Sequence, residues 1–316
     1  MISFLKVRIK SKKKKRITII RVIIFLLLLI PVFFIYGFGV AFVENTKVDR
    51  LIEEFKQRAG DEYIEETLDF DGILQTRRYY QVSRETSYEL SDTRSVFYDT
   101  SKVFLGQKGD LFVSQDSPFP NQLIIHQFIS YYFGGHAAIN NGDNKFIEAT
   151  GFPDDDETIL DIIFQPGNEP NDYSTTVSLS RTNYWLYPRY RNTSDKSYPY
   201  FGTYYRKDFV GLRVKDITSD QIDGAVDYAA SRVDQALYNF TFALDLKYKY
   251  YCTDLVSRAY QDVMVVDDQQ RGFSKALNDD RFITTVNDLI LSKETYLAVY
   301  VEIIDGIVNI YHLKDI

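Results

Sequence analysis

The chain has 316 residues, with 37 Lys and Arg against 44 Asp and Glu and a formal net charge of −7. At 45% hydrophobic and 26% charged residues it can build a sizeable core, which excludes wholesale disorder and a collagenous or low-complexity chain. One cysteine, Cys252, excludes an intramolecular disulfide and a Cys-based structural zinc site, and three histidines, His126, His136 and His312, leave little scope for a His-rich metal centre.

Charge is unevenly placed. Residues 1–43 hold nine cations and no acid, which leaves 28 cations against 44 acids in the other 273 residues. So acidic a body repels phosphates, and nucleic-acid binding is excluded. Residues 1–21 read as a basic cytoplasmic segment. Val22 to Val43 is an uncharged run that, at about 1.5 Å per residue, is long enough to cross a hydrocarbon core of about 30 Å, with Pro31 in its middle. The expectation is one transmembrane helix over 22–43, with the N-terminus cytoplasmic and the body extracytoplasmic, because the cations precede the run and Glu44 and Asp49 follow it. A cleaved signal peptide ending near Gly39-Val40-Ala41 is the alternative, and it too exports the body.

Residues 44–104 read as a stalk or accessory region. Asn45 to Ala59 places Val48, Leu51, Ile52 and Phe55 at helical spacing before Gly60. Thr67 to Ser83 carries Asp71-Gly72 between apolar and aromatic flanks, the signal of a hairpin with a type I′ turn. Residues 84–108 show no clear period. From 105 to 316 a single domain is expected. Leu111-Phe112-Val113 reads as a short buried strand, and Leu123 to Tyr132 as a helix or an irregular aromatic segment. Pro153 to Gly202 reads as a long insertion with a few short strands. Val210 to Val214 alternates like a strand, and Thr218 with Gln221 forms a capping box ahead of a helix through Val233. A second helix starts near Cys252, with Leu255, Val256, Ala259, Tyr260 and Val263 on one face. Tyr296 to Ile304 and Ile307 to Leu313 flank Asp305-Gly306 as a terminal hairpin.

Three residues stand out chemically. His136 opens an apolar strand, the turn-rich Asn140-Asn141-Gly142-Asp143-Asn144 follows, and Glu148 lies on the return strand. With the loop centred on Gly142, His136 and Glu148 are direct cross-strand partners, and a slip of one residue would put them on opposite faces. A carboxylate there fixes the imidazole tautomer and stabilises the imidazolium; a surface hydrogen-bonded pair is the plainer reading. Cys252 begins a helix, where unpaired N–H groups favour a thiolate; an inert core thiol is the plainer reading there. Asp254 reads as a helix-start residue.

Gly109-Asp110-Leu111-Phe112, Gly135-His136-Ala137-Ala138-Ile139, Phe146-Ile147-Glu148-Ala149, Tyr238-Asn239 and Tyr251-Cys252-Thr253-Asp254-Leu255-Val256, in that order, resemble the permuted papain-like amidases of the YaeF/YiiX type, relatives of the NlpC-type cell-wall peptidases. Thr285-Val286-Asn287-Asp288-Leu289 with Ser292 resembles the segment that follows the cysteine helix there. The resemblance covers about residues 105–295. It implies an α+β, circularly permuted NlpC/papain-like fold, with a central antiparallel sheet and packed helices behind the transmembrane helix. It also implies Cys252 as nucleophile, His136 as base, Glu148 as the third polar residue, and no metal or organic cofactor. Two departures are Thr253-Asp254 where Ser-Glu is more usual, and the lack of a glycine before Tyr238, which reads as a packing tyrosine. His126 and His312 read as structural, and Trp185 with its neighbouring tyrosines as aromatic packing rather than a substrate groove. The implied activity is that of a membrane-anchored extracytoplasmic cysteine amidase or peptidase acting on cell-envelope peptides or other amide-linked substrates. Two rivals stand beside it: an acyltransferase or lipid hydrolase of the same fold, and a non-catalytic envelope binding module.

Overall fold

The computed structural model describes residues 2–117, 123–151, 157–165, 173, 176–188, 207–242, 246–261, 263–264, 277 and 283–316. The chain divides into two compact units, Met1–Asn45 and Thr46–Ile316. Helix α1 runs from Ile2 to Gln57 with Pro31 inside it. Among the described residues no helix is long and apolar enough to cross a membrane, which corrects the expected transmembrane helix over 22–43. Those residues are instead the middle of a 56-residue helix that also carries the basic leader and the charged stretch from Glu44 onward. Within the first unit, Phe25, Leu28, Ile35 and Tyr36 are exposed. In the second unit α1 ends as an amphipathic helix, with Val48 and Phe55 buried in the core and Leu51 and Ile52 packed against it.

The second unit is α+β, built on one nine-stranded sheet. Strands β1 (Ile64–Phe70) and β2 (Ile73–Val82) form the expected hairpin; Asp71 (φ 53°) and Gly72 (φ 85°) both take the positive φ that a type I′ turn requires. Helix α2 (Ser87–Ser91), unforeseen in the aperiodic stretch, opens with a capping box between Thr86 and Glu89. Strand β3 (Leu111–Ser114) is wholly buried, and α3 (Leu123–Tyr132) leads to β4 (His136–Asn140) and β5 (Phe146–Ala149). Of the insertion expected over 153–202, residues 153–156, 166–172, 174–175 and 189–202 lie outside the described residues. The remainder gives α4 (Ile159–Phe164), β6 (Val177–Leu179) and the buried stretch Asn183–Leu186.

Strand β7 (Asp208–Val214) precedes α5 (Ser219–Ala230), whose Thr218/Gln221 capping box forms as read from the sequence. Short parallel strands β8 (Leu237–Tyr238) and β9 (Lys249–Tyr250) lead into α6 (Cys252–Gln261). Helix α7 (Val286–Leu291) and the hairpin of β10 (Thr295–Ile304) with β11 (Ile307–Leu313) complete the unit. The spatial order is β1-β2-β11-β10-β7-β3-β4-β5-β6. All neighbours are antiparallel except β11 and β2, so the expected antiparallel sheet is corrected to a mixed one. A parallel contact cannot be made by a tight turn; it joins two hairpins from opposite ends of the chain.

Two internal assemblies fix the middle of this sheet. Phe112, Phe146, Trp185 and Phe209 form an aromatic cluster with centroid separations of 4.8–5.9 Å. Arg213, completely buried, donates to Asp110 from Nε (2.8 Å) and Nη2 (3.1 Å), to Asp92 from Nη1 (3.3 Å), and to the carbonyls of Arg94 and Ser95. The guanidinium thereby ties β3 and β7 to the segment after α2, and its charge is neutralised where water does not reach.

Candidate active site

His136 is positioned by the two glycines before it. Gly135 donates its N–H to Ser114 O at 2.8 Å, and a Cβ there would lie 1.5 Å from Asp116 O, so no side chain fits. Gly134 has φ +79°, and a Cβ on it would meet Val286 at 2.4 Å. Chain leaving α3 can therefore turn flush against both the end of β3 and the start of α7 before entering β4.

The β4–β5 register differs from the one expected. Ala138 pairs with Glu148 and Asn140 with Phe146, so the loop is centred on Asp143, not Gly142. Asn141 is the cause: its N–H donates to Lys145 O (3.0 Å), while its side-chain oxygen accepts from the N–H groups of Asp143 (2.9 Å) and Lys145 (3.2 Å), closing a loop over 141–145. Relative to Glu148, His136 is displaced by two residues and not by one. Side chains alternate with period two, so the pair stays on one face and meets diagonally. His136 Nε2 lies 2.6 Å from Glu148 Oε2, and the residues are 7% and 6% exposed, which replaces the surface-pair reading with a buried pair. An Nε2–H directed at the carboxylate leaves Nδ1 as the ring's acceptor.

Two residues from the insertion lie in this environment. The Tyr184 hydroxyl donates to the same Glu148 Oε2 and lies 3.5 Å from His136 Nε2. Trp185 is parallel to the His136 ring (6.1 Å, 22°) and stacked on Tyr184 (5.5 Å, 19°). Both are fully buried. Aromatic packing, the reading given for Trp185 and its neighbouring tyrosines, describes Trp185; Tyr184 packs too but also hydrogen-bonds Glu148, which nothing in this aperiodic, tyrosine-rich stretch signals.

Cys252 is the first residue of α6, half-buried and packed against the edge of the core. Helix α6 packs against β4 and β5, the strands that carry His136 and Glu148. Its N-terminus is tied down on both sides of the cysteine: Thr253 Oγ1 donates to Thr284 O (2.5 Å), and Thr284 N–H donates to the Tyr251 hydroxyl (2.9 Å). Two residues on, Val286 N–H donates to Phe133 O at 2.9 Å and the Val286 side chain lies over Gly134. One short segment, Thr284–Val286, thus grips both the head of the cysteine helix and the chain just before His136. The Tyr238 ring lies against Gly151, close beyond Glu148 on β5. Burial first, and the neighbouring Cys252 charge second, push the Tyr238 hydroxyl well above its ordinary pKa.

Asp254, His312 and His126 each have partners of their own. Asp254 is buried and pairs with Arg258 Nε at 2.8 Å, one turn along α6. His312 is buried against Phe97, its Nδ1 3.0 Å from Leu313 O, and burial lowers its pKa. His126 Nδ1 lies 2.9 Å from Ser117 Oγ. Among the described residues no group of three or more His, Cys, Asp or Glu side chains could hold a metal ion.

The structure thus brings a buried His–Glu pair on adjacent strands together with the helix, headed by Cys252, that packs on those strands. No family model, curated protein or solved structure matches the chain.

Proposed function

We propose that the protein is a cysteine amidase or peptidase working through Cys252, His136 and Glu148. The single observation that carries this reading is the buried 2.6 Å contact between His136 Nε2 and Glu148 Oε2, which leaves Nδ1 to accept a proton, on strands covered by the helix that Cys252 begins. In the reaction His136 Nδ1 takes the thiol proton, and the Cys252 sulfur attacks the carbonyl carbon of an amide. Glu148 holds the resulting imidazolium, and the N–H groups at the head of α6 receive the developing oxyanion. The imidazolium then protonates the departing amine, and a water molecule, deprotonated by His136, releases the acyl group from the thioester. No step draws on a metal or organic cofactor.

Cell-envelope peptides and other amide-linked molecules are the first substrates to test. A second reading, transfer or hydrolysis of a long acyl chain, is favoured by Ile124, Phe128 and Phe133, exposed apolar side chains on and just after the helix that leads into His136. Comparing envelope fragments and lipids treated with the wild-type chain and with Cys252→Ala tests both. Release of an amine supports the amidase, release of fatty acid the second reading, and identical products from the two proteins overturn the enzyme.

A further inference from the structure

On the reading that His136 is a base oriented by Glu148, we infer that Tyr184 is a positioning residue of the same site: its hydroxyl shares one oxygen of Glu148 with His136 and thereby sets how strongly the carboxylate holds the imidazolium. Two donors converge on Glu148 Oε2, the His136 Nε2–H at 2.6 Å and the Tyr184 hydroxyl, and the two donor atoms are 3.5 Å apart. Both contacts are buried, where a hydrogen bond to a charged group is strong and each donor competes for the same negative charge.

Tyr184 is held for this task by its neighbours. Asn183, just before it, donates from Nδ2 to Leu105 O (2.8 Å) and to Asn144 Oδ1 (2.7 Å), so the β4–β5 loop itself holds the segment. Gln75 Nε2 of β2 donates to Leu186 O at 2.9 Å on the far side. The ring is stacked on Trp185 and packs 6.2 Å from Phe146. Packing of that kind is served equally by phenylalanine; only the hydroxyl reaches Glu148. Among the described residues, the titratable side chains bonded to the His136 ring include Glu148 on β5 and Tyr184 in the insertion, and helix α6, which Cys252 begins, packs on the same strands.

With the hydroxyl present, the charge on Oε2 is divided. Without it, His136 has that oxygen to itself, the imidazolium is held more strongly, and His136 titrates at higher pH. The test is an NMR titration of the His136 ring in the full chain, comparing wild type with Tyr184→Phe, which keeps the ring and its stacking. A rise in the His136 midpoint of about half a unit or more, with the His312 resonances unmoved, is the expected result. An unchanged midpoint in a folded Tyr184→Phe protein reduces Tyr184 to packing and overturns the inference. If Tyr184→Phe does not fold, the wild-type chain decides. A downfield, slowly exchanging Tyr184 hydroxyl proton that shifts in Glu148→Gln supports the shared oxygen, and its absence overturns it. Cys252 takes no part in this readout, so an inert Cys252 would remove the amidase while leaving the Tyr184–Glu148–His136 coupling measurable.

Discussion

Glu148 reaches His136 Nε2 at 2.6 Å although the residue paired with it across the sheet is Ala138. The diagonal works because the offset is even: both side chains leave the same face, and the long Glu side chain spans the extra two residues along β4. The hydrogen bond therefore depends on the loop closure at Asn141 and on the glycines that bring His136 to the start of the strand.

Removal of the three residues should be unequal. Glu148→Gln keeps an oxygen that can accept from His136 Nε2, so it is expected to retain amide-hydrolysing activity about two orders of magnitude above His136→Ala or Cys252→Ala, each of which leaves only background. Initial rates on an amide-linked envelope fragment would show this. Full wild-type activity in Glu148→Gln would remove the carboxylate from the mechanism.

On the proposed mechanism His136 accepts the Cys252 proton, so iodoacetamide should alkylate Cys252 in the folded protein and His136→Ala should slow that alkylation. Labelling that appears only after denaturation, or a rate that His136→Ala leaves unchanged, would favour a binding module over an enzyme.

Gly135→Ala is expected to cost at least about 2–3 kcal/mol of stability in urea unfolding, since its Cβ would lie 1.5 Å from the Asp116 carbonyl oxygen and backbone must move to admit it. The same shift displaces His136, so activity should fall further than stability alone explains. A variant as stable and active as wild type would show that the junction of α3 and β4 yields easily.

The Asp92 site predicts an acid limb of stability. Burial opposes ionisation of Asp92, but the Arg94 hydrogen bond at 2.6 Å, the Arg213 charge and the Tyr296 hydroxyl outweigh it and hold the carboxyl well below the usual carboxylate range. A folded pKa below the unfolded value of about 3.9 gives stability that is complete above about pH 4 and is lost as pH falls through the folded value. Asp92→Asn should therefore be less stable than wild type at pH 7, with the gap in Tm closing in strongly acidic buffer. A gap independent of pH would assign the loss to packing.

Arg213→Met leaves the buried Asp110 and the half-buried Asp92 to share Arg94, one cation for two carboxylates, and a loss of about 3–5 kcal/mol is expected in denaturant unfolding. Arg213→Met with Asp110→Asn should recover part of it, because the second change removes the charge left in excess. Absence of any recovery would mean that Arg213 acts through its hydrogen bonds to the Arg94 and Ser95 carbonyls.

Features decided within a few residues could be read directly from the chain. Asp71-Gly72 and Asp305-Gly306 take positive φ and close hairpins, and Thr218 with Gln221 caps α5, because turn and cap energies depend on four consecutive residues. The spacing of His136 and Glu148 likewise placed both on one face, since any even offset in register has that result. Other features required the assembled sheet. Parallel pairing of β2 with β11 brought residues 64–82 into the sheet, and Tyr184 came to Glu148 from a stretch with no period. Such contacts link residues far apart in the chain, and their energy lies in shared burial and in hydrogen bonds made out of reach of water, which no local pattern encodes.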